Sequence, residues 1–162
     1  DGFPFRGNDF QQQWKPEAET PALIALSSQT YSFTGGAHGN MGYSPVIFDR
    51  STGKRIAFGD LFANADQAYQ ALTPAWCKAL NEARAEKRGA DMQAVGEMFN
   101  ECPPLKEQTV VPVGEGRVDQ LRVLVDPYVA GPWAEGGYEV TLPVDAVRPM
   151  LKTVYAKDFA PS

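Results

Sequence analysis

Residues 65–88 read ADQAYQALTPAWCKALNEARAEKR, and the reading of this stretch decides the fold. Tyr69, Leu72, Trp76, Leu80 and Ala83 recur at intervals of three and four. One apolar stripe therefore runs along a helix, with Lys78, Glu82, Arg84 and Glu86 largely off it. Gly89 fits its C-terminal stop. Pro74 interrupts the run, and Thr73-Pro74 has the form of an N-cap followed by a first helical position. The stretch is thus either one kinked helix or a short helix followed by a longer one.

Outward from this helix the period falls to two on both sides. Upstream, residues 10–15 read as extended, with Pro16 and Pro21 bracketing a turn or an edge. Leu23, Ala25, Tyr31 and Phe33 share one parity around Ser27 and Gln29, a pattern expected of a long strand buried along only part of its length. Residues 43–49 form a second strand, and Arg50-Ser51-Thr52-Gly53-Lys54 turns the chain into a third at 55–58. Downstream, Asp91 caps a further helix carrying Met92, Val95, Met98, Phe99 and Cys102, ended by Pro103-Pro104. Strands follow at 109–113 and 118–126 around Gly114-Glu115-Gly116, then at 138–142, and residues 144–155 close the chain as a helix weakened by Pro149. Strands, then helices, then strands predict an α+β fold, an antiparallel β-sheet with helices packed on one face.

The 162 residues suffice for one globular domain, and 43% hydrophobic residues suffice for its core. One histidine and two cysteines exclude every Cys₂His₂, Cys₄ or paired-histidine metal site, and no cofactor is expected. A net charge of −5 argues against a nucleic-acid partner. No run approaches the roughly 20 apolar residues of a membrane span. Cys77 and Cys102 fit either one disulfide in an oxidising compartment or two reduced core thiols. The chain opens on Asp1 rather than Met, so a trimmed chain is expected, with any export signal or N-terminal anchor removed.

Two segments stand out chemically. Gly35-Gly36-Ala37-His38-Gly39-Asn40 holds the sole histidine. His38 has the chemistry of a general base or a metal ligand, but no sequence neighbour orients it. The plainer reading is a tight connection whose glycines take positive φ. Residues 126–138 combine Tyr128, Trp133 and Tyr138 with prolines and glycines. Such a shaped loop either presents aromatic anchors or folds them back over the sheet edge. Gly42-Tyr43-Ser44-Pro45-Val46 lacks the last glycine of a serine-hydrolase elbow, Gly53-Lys54-Arg55 is no phosphate loop, and Gly114 to Asp119 lacks a dinucleotide fingerprint. Nothing selects a glycosidase-like pair among Asp49, Asp60, Glu97, Glu101, Asp126, Glu135 and Glu139.

An ordered set of motifs carries a resemblance from about Ala22 to Leu151. It comprises Tyr31 to Asn40, Phe48-Asp49 with Thr52-Gly53-Lys54, Gly59-Asp60-Leu61-Phe62, Pro127 to Pro132, and Tyr138-Glu139-Val140-Thr141-Leu142-Pro143. Together they resemble the RsiV-like extracytoplasmic domain, which also forms the non-catalytic N-terminal part of PdaC peptidoglycan deacetylases. The resemblance implies that residues 1–58 are the tail of a first β-rich module and residues 59–162 the RsiV-like α+β domain, the two forming one compact unit. The region 85–104 looks more elaborate than the family pattern.

The resemblance further implies a periplasmic or extracytoplasmic location, with a lipid anchor in the full-length protein, and so favours a Cys77–Cys102 disulfide. Its best-understood member binds lysozyme through the outer domain of an anti-sigma factor, a regulatory role that does not carry over to this chain. The expectation is an exported, non-enzymatic binding or sensing domain of the bacterial envelope. Its partner would be a basic secreted protein such as lysozyme, steered by the acidic surface, or cell-wall material. The candidate ligand-binding residues are His38, Asn40, Tyr128, Trp133 and Tyr138, with no catalytic and no metal-binding residue assigned. The competing classes are an envelope hydrolase using His38 with a carboxylate and a purely structural module.

Overall fold

The computed structural model describes residues 7–36, 39–89 and 97–161. Its strands are β1 (Asp9–Glu19), β2 (Leu23–Phe33), β3 (Asn40–Asp49), β4 (Lys54–Ile56), β5 (Thr109–Glu115), β6 (Gln120–Val125) and β7 (Tyr138–Pro143). They build one seven-stranded sheet in the order β4-β3-β2-β1-β5-β6-β7. Every pairing is antiparallel except the central one, where Ala18 and Glu19 of β1 pair in parallel with Gly114 and Glu115 of β5. The fold is α+β as the sequence predicts, but the sheet is mixed. A two-residue parallel seam joins an N-terminal meander to a C-terminal one.

One long helix, α1 (Ala65–Arg88), packs on this sheet, chiefly against β7. The Asn64 side chain caps it by accepting from the Gln67 N–H, and Gly89, with φ of 57°, stops it. Pro74 lies inside one uninterrupted helix, and the Thr73 hydroxyl donates to the Tyr69 carbonyl one turn back. Thr73 is therefore not an N-cap. The buried positions are Ala68, Leu72, Trp76, Leu80, Arg84 and Arg88, a row at intervals of four whose last two members are cations. Arg84 thus belongs to the buried row rather than to the solvated face.

The main core gathers Leu23, Ala25 and Ile47 from the first meander, the α1 row through Leu80, and Leu121, Val123, Val125, Val140 and Leu142 from the second. This single cluster draws on both sides of residue 58. Truncating a fully buried member such as Leu72 costs about 2–5 kcal/mol.

The C-terminal segment is stitched on by polar contacts. Asp158, 2% exposed, accepts from the Thr20 hydroxyl and the Ala22 N–H, both at 2.7 Å, and the Tyr155 hydroxyl donates to Asp49 at 2.7 Å.

The expected helix over 144–155 is absent. In its place are a 3-10 turn at Arg148–Met150 and a single helical turn, α2 (Thr153–Ala156). Between them Leu151 is extended and bridges Phe62, and Pro149 has no N–H with which to continue a helix. The expected helix after Asp91 falls largely outside the described residues, and what is described of it is a 3-10 turn at Glu97–Asn100. Cys77 and Cys102 form a disulfide, which fastens the segment after this turn to the middle of α1. The Trp76 indole N–H, donating to the Pro103 carbonyl at 2.9 Å, holds it a second time.

Candidate functional site

The strand register places residues distant in sequence side by side. Gln13 on β1 lies directly opposite Gln29 on β2, and Gln29 opposite Tyr43 on β3, so two amides and a phenol form one cross-strand row. Beside it, Trp14 pairs with Ser28. Between Pro16 and Ala18 the register shifts by a β-bulge, and the extra residue is Glu17.

The sheet curls because the middle of β3 is tied to the far meander. The Tyr43 N–H donates to Asp126 at 2.8 Å, and the Thr109 hydroxyl donates to the Tyr43 carbonyl at 3.3 Å. A polar cleft of about 240 Å³ results, with walls contributed by β1, β2, β3, β6 and β7.

One arginine organises the cleft's charge. Glu17 is 7% exposed and accepts from the Ser27 hydroxyl at 2.9 Å. Arg122 Nε lies 3.1 Å from the other Glu17 oxygen, an ion pair without hydrogen-bond alignment, and Arg122 Nη1 donates to Glu139. Burial, followed by the Glu139 and Asp126 carboxylates, pushes the Tyr43 phenol above its ordinary pKa, so the hydroxyl stays protonated. Trp14, 52% exposed, borders the cleft along β1 but alternates with Gln13 and Lys15, so its indole lies on the opposite face of the strand. Ser28, between Ser27 and Gln29 on β2, turns to that opposite face, where it is buried with its Oγ without a hydrogen-bond partner among the described residues. Beyond the Glu17 bulge a separate apolar groove of about 490 Å³ runs along the seam, lined by Pro16, Ile24, Leu26 and Val113 among others.

The residues selected from the sequence fall elsewhere. Ala37 and His38 lie outside the described residues. Asn40 opens β3 as an exposed residue paired with Ser32. Tyr128, with φ of 72° and 55% exposed, packs its ring on Trp133 at a centroid distance of 5.7 Å, so these two are together on the loop between β6 and β7. Tyr138 is 1% exposed, with its ring in the core and its hydroxyl donating to Glu135. Its neighbour Glu139 is the one that reaches the cleft.

The 126–138 loop is anchored by the cationic end of α1. Arg84 Nε donates to the Ala130 carbonyl at 2.9 Å, while its Nη2 has no partner among the described residues. Arg88 grips both Glu135 oxygens, at 2.8 and 3.0 Å, and also donates to Asn100 and to the Phe99 and Ala130 carbonyls. Lys87 donates to the Glu135 and Gly137 carbonyls and lies 3.9 Å over the Tyr138 ring. This clamp escaped the sequence reading. The available signal was Arg84 and Arg88 continuing the i, i+4 row of Leu72, Trp76 and Leu80. Among the described residues no group of three or more His, Cys, Asp or Glu is placed to hold a metal, and no helix is long and apolar enough to cross a membrane.

No family model matches the chain, and no curated protein does. Two solved structures share its fold. A DUF3298 family protein from Pseudomonas aeruginosa PAO1 superposes with a TM-score of 0.59 at 19% identity, over 94% of this chain and 65% of that one. A DUF3298 family member from Bacteroides fragilis NCTC 9343 superposes with a TM-score of 0.65 at 18% identity, over 90% of this chain and 55% of that one. The chain therefore spans about two thirds and about half of those two proteins. At such identities the likeness is one of fold, and DUF3298 is a domain family of unknown function.

Proposed function

We propose that this chain is a non-enzymatic recognition domain of the bacterial cell envelope, related to the RsiV-like and PdaC N-terminal domains, and that it binds through the polar cleft between its two meanders. The observation carrying this reading is the cleft itself, where five strands bring amide, phenol and carboxylate side chains to one concavity. Three things support the extracytoplasmic setting. The DUF3298 fold neighbours are bacterial, the ordered motifs resemble exported domains, and the two cysteines are joined as in proteins of oxidising compartments. The exposed Tyr128 stacked on the half-buried Trp133 is a second aromatic surface, and lysozyme or another basic protein is the partner that would use it.

The test is an amide-shift titration of the isotopically labelled chain with soluble peptidoglycan fragments and, separately, with lysozyme. Shifts centred on Gln13, Gln29, Tyr43 and Glu139 support the reading. Shifts confined to the 126–138 loop, or none with either probe, refute the cleft as the site. Appearance of shorter glycans during the titration refutes the non-enzymatic assignment.

A further inference from the structure

Strand β1 meets β2 from Asp9 to Glu19, but β5 reaches it only at Ala18 and Glu19, so among the described residues no strand covers the outer edge of residues 9–16. Every residue of that stretch is exposed. The direction of its backbone groups follows from β3. The Tyr43 N–H and carbonyl bond to Asp126 and Thr109 rather than to β2, so Gln29 opposite it turns its own main-chain groups to β1 and meets Gln13. By alternation Phe10, Gln12, Trp14 and Pro16 send theirs outward. Pro16, lacking an N–H, fits that direction, and the Glu17 bulge beside it ends the open stretch.

Such an edge is a template for another strand, and its side chains select which one. Phe10 and Trp14, 68% and 52% exposed, lie on one face of β1, while Asp9 and Lys15 lie on the other. We infer that this edge pairs with the same edge of a second copy of the chain, antiparallel, about a twofold axis at Gln12. In that register Asp9 faces Lys15 of the second copy, Phe10 faces its Trp14 and Gln11 faces its Gln13, each contact occurring twice by symmetry. The outward main-chain groups of Phe10, Gln12 and Trp14 then meet those of Trp14, Gln12 and Phe10, which is the hydrogen-bonded pairing of an antiparallel ladder. In the adjoining registers that still bring outward groups together, Asp9 would face Glu17 in one direction and Gln13 in the other, and Phe10 would lose its aromatic partner. The register centred on Gln12 satisfies charge, aromatic and main-chain groups at once.

The test is sedimentation equilibrium of the 162-residue chain from micromolar to millimolar concentration. The mass should rise from 17.7 kDa toward twice that value. Gln12→Pro removes an outward N–H at the twofold axis and leaves the ladder to β2 intact, so association should weaken roughly tenfold or more with unchanged circular dichroism. Asp9→Lys sets like charges opposite each other and should weaken association roughly tenfold, and Asp9→Lys combined with Lys15→Asp should restore it. A chain that stays at 17.7 kDa throughout overturns self-pairing and leaves the edge to a strand of some other protein. Association indifferent to Gln12→Pro, or a double charge reversal that restores nothing, overturns it as well, because the copies then meet elsewhere or in another register.

Discussion

Replacing Glu135 by alanine tests the most concentrated electrostatic feature of the molecule. The side chains of Arg88 and Glu135 are 2% and 11% exposed, and the guanidinium meets the carboxylate through two hydrogen bonds of 2.8 and 3.0 Å. Arg84 lies close enough for the two guanidiniums to repel, and burial, then this repulsion, lowers its pKa. Removing the carboxylate leaves two buried cations without a counter-charge. Breaking a buried pair from one side costs about 3–5 kcal/mol. Arg88 keeps Asn100 and two main-chain carbonyls as partners, so the lower end, about 3 kcal/mol, is expected.

The same pair sets a pH signature. Burial pushes the Glu135 carboxyl up, but hydrogen bonds from Arg88 and Tyr138 and the charges of Arg88 and Lys87 outweigh it, and the pKa ends below its ordinary value. A lowered carboxyl pKa contributes stability that is complete above the unfolded value, about 4.3, and is lost as pH falls through the folded value. Urea unfolding of wild type and Glu135→Ala should therefore diverge by about 3 kcal/mol at neutral pH and converge in acid. A difference below about 1 kcal/mol at neutral pH, or one that ignores pH, would refute the buried-pair account.

Three further outcomes follow from the same geometry. A Cβ at Gly131 would stand 2.1 Å from Glu135 Oε1, so Gly131→Ala should cost about 1–3 kcal/mol in wild type and much less in the Glu135→Ala background; simple additivity in a double-mutant cycle would show that the clash is not with this carboxylate. Reducing Cys77–Cys102, 25 residues apart, should lower stability by about 3.5 kcal/mol on the loop-entropy scale and Tm by roughly 7–14 °C, read by calorimetry with and without reductant; an unchanged Tm would mean that the Arg88 and Trp76 contacts alone hold the segment. Tyr138 and Tyr155 have phenols pushed up to about 12, first by burial and then by hydrogen bonds to Glu135 and Asp49, so the stability they add is complete below about pH 10 and lost as pH rises through 12; an ultraviolet titration in which all six tyrosines ionise together near pH 10 would contradict this.

What the sequence revealed and what it hid divide along a physical line. Leu72, Trp76 and Leu80 were legible because helical periodicity is local, and Leu23 and Ala25 because alternation is. Arg84 and Arg88 were not, since a charged residue reads as solvated until a carboxylate and carbonyls from another element are known to meet it. The cleft was hidden for a related reason. Gln13, Gln29 and Tyr43 become neighbours only through strand register, which no single strand encodes. Residues 126–138 were recognised as a shaped loop, but which of its aromatics would be buried depended on α1 packing against β7. Tyr138 went inward for that reason, while Tyr128 and Trp133 stayed outside on each other.

The parallel seam also imposes an order of events on the chain as it leaves the ribosome. The β1–β2 and β2–β3 hairpins can close as soon as they are made, but Ala18 meets Gly114 only after roughly a hundred more residues have emerged. Until then Leu23, Ala25 and Ile47, which finish buried in a core completed by α1 and the second meander, have only part of their cover. The newborn first meander is thus an adhesive intermediate whose solubility depends on how quickly its second half arrives, which makes translation pauses before residue 114 the step at which this protein is most exposed to misassembly.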